Sequence, residues 1–346
     1  MVGACGVTVA STFYRGLSPD FLNGLSRLVE APEGQWWRDV LARRDLVIAV
    51  RNEYLNVYYR GASVFLVRRE GSKFIPLTHA KYLSRRQQGL VPLRADGTFG
   101  IEPEHALWRS YEGPKTLDEM IRAAADLAGP EKIGLHALLL TSPHVIDLEI
   151  SLESAEHAEV NERVDGALVA AEQDAADGST TPVSVAAPSQ DRLDVATLEE
   201  RDGAIFVVFH EAKHFTNPEL RGGSTRTPPV AEQIARYRKT LARHASALAN
   251  SYREVCKALV EIERMRLRVT GGADTVRHLD PLIHDVVRKD VVPEINPEPR
   301  LVVFGFDQDQ RDGQIWGRHR DRLKDHFGIR LEAIGNTGTK RSPAFR

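Results

Sequence analysis

The sequence predicts an α/β protein in which a mixed β-sheet is flanked by helices, with an amino-terminal α+β module that contains an antiparallel meander. Three observations predict it. Residues 45–70, DLVIAVRNEYLNVYYRGASVFLVRRE, alternate at period two across turn signals at Arg51-Asn52 and Arg60-Gly61. Residues 191–209, DRLDVATLEERDGAIFVVF, read as two strands joined by the polar turn Glu199-Glu200-Arg201-Asp202-Gly203, a hairpin signal. From PRLVVFGFD onward the chain runs strand, helix, strand, the ending that a sheet with covered faces requires.

Taken in order, residues 1–44 are expected to be mostly helical, with SPDFLNGLSRLVE opened by Ser18 and Pro19. A second helix carries QWWRDVLARR. Trp36 and Trp37 cannot both face one way on it, so one is expected in the core and the other on a contact surface. The outer face of the meander could combine Tyr54 and Tyr58 with Arg60, Arg68 and Arg69, a mixture that stacks bases and neutralises phosphates. The plainer reading of that face is a solvated sheet surface. Lys81, Arg85 and Arg86 add a basic cluster. A boundary near 113 divides the module 1–113, a candidate nucleic-acid or dimer contact, from residues 114–346.

Past a helix over 116–129, VIDLEISL reads as a strand at 145–152. An insertion at about 154–190 follows, first a candidate surface helix and then the proline-broken DAADGSTTPVSVAAPSQ, expected as a mobile loop. The segment VAEQIARYRKTLARHASAL carries apolar residues in steps of three and four, and the pattern continues to Thr270-Gly271-Gly272, which predicts one long helix or two. PRLVVFGFD at 299–307, a helix around GQIWGRHRDRLKDHF and the strand GIRLEAIG complete the sheet, and NTGTKRSPAFR reads as a frayed tail.

The chemistry concentrates in residues 204–215, AIFVVFHEAKHF. On a strand Glu211 and Lys213 emerge together while His210, Ala212 and His214 point the other way. A buried carboxylate and ammonium need a partner, a metal or a substrate, although an ordinary strand-end ion pair is the plain alternative. The hairpin brings Asp194 beside this end, and Gln233 and Tyr237, four apart, share one face of the next helix.

An acidic residue in one strand, (D/E)-x-K at the end of its neighbour and Q-x-x-x-Y on the next helix resemble the PD-(D/E)XK nuclease superfamily, particularly its RecB-like branch. The matching residues are Asp194, Glu211, Lys213, Gln233 and Tyr237, within roughly 145 to 310. The resemblance implies a restriction-endonuclease-like core and a Mg2+- or Mn2+-dependent phosphodiesterase, with DNA favoured over RNA, in defence, repair or restriction. It implies metal ligation by Asp194, Glu211 and the backbone carbonyl of Ala212, and a nucleophile oriented or activated by Lys213 with help from Gln233 and Tyr237. The first acidic residue of the family pattern falls on Glu149, favoured as a further ligand, or on Glu119. Arg236 and Lys239, within a turn of the site, are candidate phosphate contacts.

The same residues spell H-E-x-x-H, which in a zinc hydrolase needs His210 and His214 on one helix face as ligands and Glu211 as base. The β-branched and aromatic AIFVVF before it, Lys213 inside it and Asn217-Pro218 after it argue for a strand instead. A catalytically inactive nucleic-acid-binding protein of the nuclease fold is the remaining alternative.

A chain of 346 residues, 42% hydrophobic, can bury a sizeable core. Its two cysteines, Cys5 and Cys256, fit no metal or disulfide spacing, which sets a cytoplasmic expectation. The amino terminus lacks the basic start of a signal peptide, and no apolar run approaches membrane-spanning length. The net charge of −2 does not advertise nucleic-acid binding, but acidic residues from Glu153 to Asp177 face Arg163 alone, so the remainder is basic on balance. No G-x-x-x-x-G-K-[ST] motif is present to power unwinding. A homodimer and a separate helicase or defence partner stay open.

Overall fold

The computed structural model describes residues 13–84, 89–102, 104–153, 190–222, 226–272, 277–335 and 345. The acidic insertion with its expected helix and loop, the basic residues Arg85 and Arg86, Cys5 and all of the tail but Phe345 lie outside the described residues.

The amino-terminal part opens with α1 (Pro19–Leu28) and α2 (Gln35–Ala42). Ser18 caps α1 as the sequence predicts, its hydroxyl accepting from the Phe21 N–H at 3.2 Å. An antiparallel sheet follows in the order β1 (Val47–Val50), β2 (Tyr54–Tyr59), β3 (Ala62–Glu70), β4 (Lys73–His79) and β5 (Leu90–Pro92). The β2–β3 turn uses Arg60 and Gly61 at φ 49° and 74°, the twisted two-residue turn that a tight hairpin favours.

Two expectations for this part are corrected. Trp36 and Trp37 are both buried, because α2 is covered on two sides and Trp36 packs on Phe65 with ring centroids 5.6 Å apart. The meander has no single solvated face, since Val64, Phe65, Leu66 and Val67 are all buried. Tyr58 is inside, its hydroxyl accepting from the Asn56 side-chain amide at 3.1 Å. Tyr54 and Arg68 remain partly exposed as cross-strand partners.

Helices α3 (Pro114–Asp126) and α4 (Pro130–Leu140) lead into the second sheet. Its strands are β6 (Val145–Glu153), β7 (Gln190–Arg201), β8 (Ala204–His214), β9 (Glu294–Ile295), β10 (Arg300–Phe306) and β11 (Arg330–Gly335). The order is β11-β10-β8-β7-β6, with β9 also on β8. β6, β7 and β8 are antiparallel neighbours, whereas β10 runs parallel to both β8 and β11. The protein is thus mixed α/β, with one antiparallel and one mixed sheet flanked by helices. The β7–β8 turn is tighter than the sequence suggests: pairing continues to Arg201↔Ala204, leaving Asp202 and Gly203 at φ 50° and 81°. Glu199 holds the strands out to that point by pairing with Arg201 and with the buried Arg300 on β10.

One face of this sheet is covered by α5 (Pro229–Thr270), a single helix of 42 residues, about 63 Å at 1.5 Å per residue. Gly271 ends it in the left-handed conformation. As far as its middle it lies on the sheet, Tyr252 meeting Phe209 edge-on at 5.7 Å. Its second half reaches the amino-terminal helices, where Arg266 donates to the Arg43 carbonyl at 3.0 Å and Arg268 to Ser26 at 2.7 Å. α4 covers the other face, burying Leu138 and Leu139 with Val195, Ala212 and Phe304. Gly134 allows that approach, because a Cβ there would come within 2.4 Å of the Phe304 ring. One hydrophobic core contains residues from both sides of position 113, among them Phe65, Trp37, Ile150 and Phe209. The chain closes with α6 (Pro281–Arg288) before β9, and with α7 (Gln308–Asp312), α8 (Gln314–Asp321) and a wide turn Arg322–His326 between β10 and β11. Among the described residues no helix is long and apolar enough to cross a membrane.

Candidate active site

β8 carries the centre of the site. Its alternation puts Ile205, Val207 and Phe209 into the core under α5, and the same face continues into Glu211 and Lys213. The other face delivers Ala212 to the α4 side. HEAKH is therefore extended, and the helical arrangement that zinc ligation by His210 and His214 needs is not formed. His210 instead shares a hydrogen bond with Thr197 at 2.9 Å, and His214 shares one with Thr216 at 2.7 Å. Burial first, then the nearby Arg300, holds His210 well below the usual imidazole range and so neutral.

Asp194 stands where the β7–β8 ladder stops. The last backbone pair is Val195↔His210, and beyond it the Asp194 Oδ2 takes over, accepting from the Ala212 N–H at 2.7 Å. The N–H and C=O of one strand residue project from the same edge, so the Ala212 carbonyl also emerges on the Asp194 side. Glu149, on β6, sits between the partner pairs Leu148↔Val195 and Ile150↔Leu193. Its φ of 50° is left-handed, which is uncommon for a residue with a side chain. Leu148 and Val195 face α4, whereas Ile150 and Leu193 join the core under α5, so both strands switch face at Glu149 and Asp194.

The electrostatics are those of crowded acids. Burial lifts Asp194 well above the carboxylate range, and the charges of Glu211 and Glu149 add to it. Burial likewise pushes Glu211 up to about 7, against the pull of Lys213. Lys213 Nζ lies 2.9 Å from Glu211 Oε1 and 2.7 Å from Glu219 Oε2. Burial opposes the ammonium, but the two carboxylates outweigh it and hold Lys213 above the ordinary lysine value. The second Glu211 oxygen, Oε2, is buried with no hydrogen-bond partner among the described residues.

Of the helix residues, Tyr237 reaches the site itself, its hydroxyl near enough to Glu211 to favour the ionised carboxylate, while Gln233 supports it from one step back. Gln233 donates to the Tyr237 hydroxyl at 2.6 Å, and that hydroxyl donates to the backbone carbonyl of Arg192, two residues before Asp194. Their hydrogen bonds fix β7 rather than Lys213. Glu119 pairs with Arg122 on α3 at 2.6 Å, whereas Glu149 is the acid that acts on Asp194. Arg236 sits 3.4 Å from the buried Asp191, and Lys239 is exposed. The sequence reading passed over Glu219, which a readable turn delivers: Asn217, ahead of Pro218, accepts from the Glu219 N–H at 2.9 Å. It also passed over Asp147, fully buried between Arg15 at 3.3 Å and Arg51 at 2.7 Å, with Tyr252 donating at 3.2 Å.

No family model, curated protein or solved structure matches this chain. Its site is read from its own geometry.

That geometry bears on a metal. Among the described residues no three His, Cys, Asp or Glu side chains form a ready cation cage. The donors that converge are two carboxylates and one carbonyl, Asp194, Glu211 and Ala212, with Glu149 behind them. Oxygen donors of this kind suit Mg2+ or Mn2+. The unpartnered Glu211 Oε2 and the mutual repulsion around Asp194 are what a divalent cation would relieve, so the residues fit such an ion.

Proposed function

We propose that this chain is a metal-dependent nuclease of the PD-(D/E)XK kind, with a restriction-endonuclease-like core built from β6, β7, β8, α5 and β10. The observation that carries the reading is the placement of Asp194, Glu211 and Lys213 together at one strand end, with a buried carboxylate oxygen still lacking a partner. The preference for DNA over RNA rests on the resemblance of the motifs.

Asp194, Glu211 and the Ala212 carbonyl would hold Mg2+ or Mn2+, with Glu149 as a further ligand. When bound, such an ion polarises a phosphodiester and acidifies a bound water. Lys213 keeps its proton between Glu211 and Glu219, so it serves as a fixed positive charge beside the phosphate rather than as a base. Water adds its oxygen to phosphorus, the ester bond to the leaving oxygen breaks, and the water's proton leaves for solvent or the leaving oxygen. Tyr237 and Gln233 keep β7, and with it Asp194, in register.

The test is incubation of the purified chain with single- and double-stranded DNA and RNA in Mg2+ or Mn2+, beside EDTA and a Lys213→Ala control. Cleavage abolished by EDTA, and lowered by the substitution about 100-fold or more, is expected. No cleavage of any substrate, or full activity in Lys213→Ala, overturns the reading.

A further inference from the structure

Between the first sheet and the α3–α4 junction lies a cavity of about 330 Å3, whose lining also includes Glu149 and Arg192. It thus reaches Glu149 of the candidate site without including Asp194, Glu211 or Lys213. We propose that this cavity receives the base of a DNA nucleotide flanking the cleaved bond, so that the substrate is a strand with an unpaired or extruded base. The inference rests on the nuclease reading for its substrate.

Size, lining and charge support it. The volume is at the small end of the ~300–1,000 Å3 span of small-ligand sites, enough for one nucleotide and too little for a base pair and its backbones. His79 lines it with a half-buried ring set edge-on 6.1 Å from the buried Tyr82, and Ala128 lines it with a short side chain. A half-buried aromatic ring of this kind can stack on a base of any identity. The rim carries Arg60, Lys132 and Arg192. Arg60 and Lys132 form no ion pair among the described residues, and Arg192 is only 3.9 Å from Glu149. The other lining carboxylate, Glu131, is turned away to the His214 N–H at 3.2 Å and the Asn217 amide at 3.0 Å. The rim is therefore cationic on balance, complementary to phosphates on either side of a seated base. A base within a continuous duplex stays stacked and cannot enter, whereas an unpaired one can.

The experiment uses the full chain in EDTA and an oligodeoxynucleotide with one 2-aminopurine, presented single-stranded, opposite a gap, or within an uninterrupted duplex. Altered emission and binding are expected for the unpaired forms and not for the duplex. Ala128→Trp, which fills the cavity, should weaken binding of the single strand by about 5- to 150-fold, the worth of one stacked base. Lys132→Glu, on an exposed position, should lower the slope of log affinity against log salt by about 1. Thermal melting checks both variants; if Ala128→Trp does not fold, Lys132→Glu decides. Unchanged affinity and slope in the folded variants, or equal emission change in all three oligonucleotides, overturns the proposal. Wild type that cuts duplex and single strands equally, with Ala128→Trp alike, sinks the cavity and leaves the nuclease. Wild type that binds as expected but cuts nothing in Mg2+ or Mn2+ sinks the nuclease and leaves the cavity as a nucleotide site.

Discussion

Glu211 ionises in the folded protein only near pH 7, whereas the same side chain in the unfolded chain ionises near its ordinary 4.5. Between those values the folded state binds the extra proton, so its contribution is fully present below 4.5 and is lost as pH rises through 7. The displacement of about 2.5 units corresponds to about 3 kcal/mol. Glu211→Gln keeps the shape of the protonated acid and cannot ionise. In EDTA it should match wild type at pH 4.5 and exceed it by about 3 kcal/mol at pH 8. For a chain of this length, at about 2.1 cal/mol/K of unfolding entropy per residue, that is roughly 4 °C in Tm. Because Glu211 is also the largest charge acting on Asp194, the difference reports the pair. Mg2+ should close most of the gap: at a hundred times its Kd it adds about 2.7 kcal/mol to wild type at pH 8 and little to the variant. Melting curves at pH 4.5, 6, 7 and 8, with EDTA and with Mg2+, measure both effects. A wild-type minus variant difference that does not change with pH, or equal stabilisation by Mg2+, refutes the reasoning.

Asp147→Asn leaves Arg15 and Arg51 buried without their counter-charge and should cost about 3–5 kcal/mol in urea unfolding; a loss under 1 kcal/mol would mean the network is not held as described. At Glu149 the left-handed backbone favours glycine, so Glu149→Gly should be about 1 kcal/mol more stable than Glu149→Ala, while both lower metal-dependent cleavage. Equal stability of the two, by the same unfolding measurement, would contradict the backbone conformation.

The parts of this fold legible in the sequence are those written in local patterns. Period two in AIFVVFHEAKHF places Glu211 and Lys213 on one face, and the hairpin signal before it delivers Asp194 to their side. Steps of three and four put Tyr237 over β7, and the two glycines after Thr270 end the long helix. What is not legible depends on long-range packing. The meander's strands alternate like a half-solvated sheet, yet Tyr58 is buried because a second sheet and α4 cover that side. Nothing in VIDLEISL signals the left-handed Glu149, since no glycine or asparagine stands there. Asp147 meets arginines more than ninety positions away in the chain, and no spacing rule connects them.

That network changes what the amino-terminal part does. Arg51 pairs with Asp147 and also donates to the carbonyl of Leu148 at 2.8 Å, the residue before Glu149. Asp147 in turn accepts from the Leu148 N–H at 2.8 Å. Two arginines from before residue 113 therefore fix the backbone where β6 switches face, and that switch sets where Glu149 stands relative to Asp194. Arg60, on the next turn of the same sheet, lines the same cavity as Glu149. The first sheet is thus continuous with the site through Arg51 on one side and the cavity on the other. Burying an aspartate between two arginines is costly unless the geometry is fixed, and a kink beside the crowded acids is one place where fixing it has a use. On this argument the amino-terminal sheet positions Glu149 relative to Asp194.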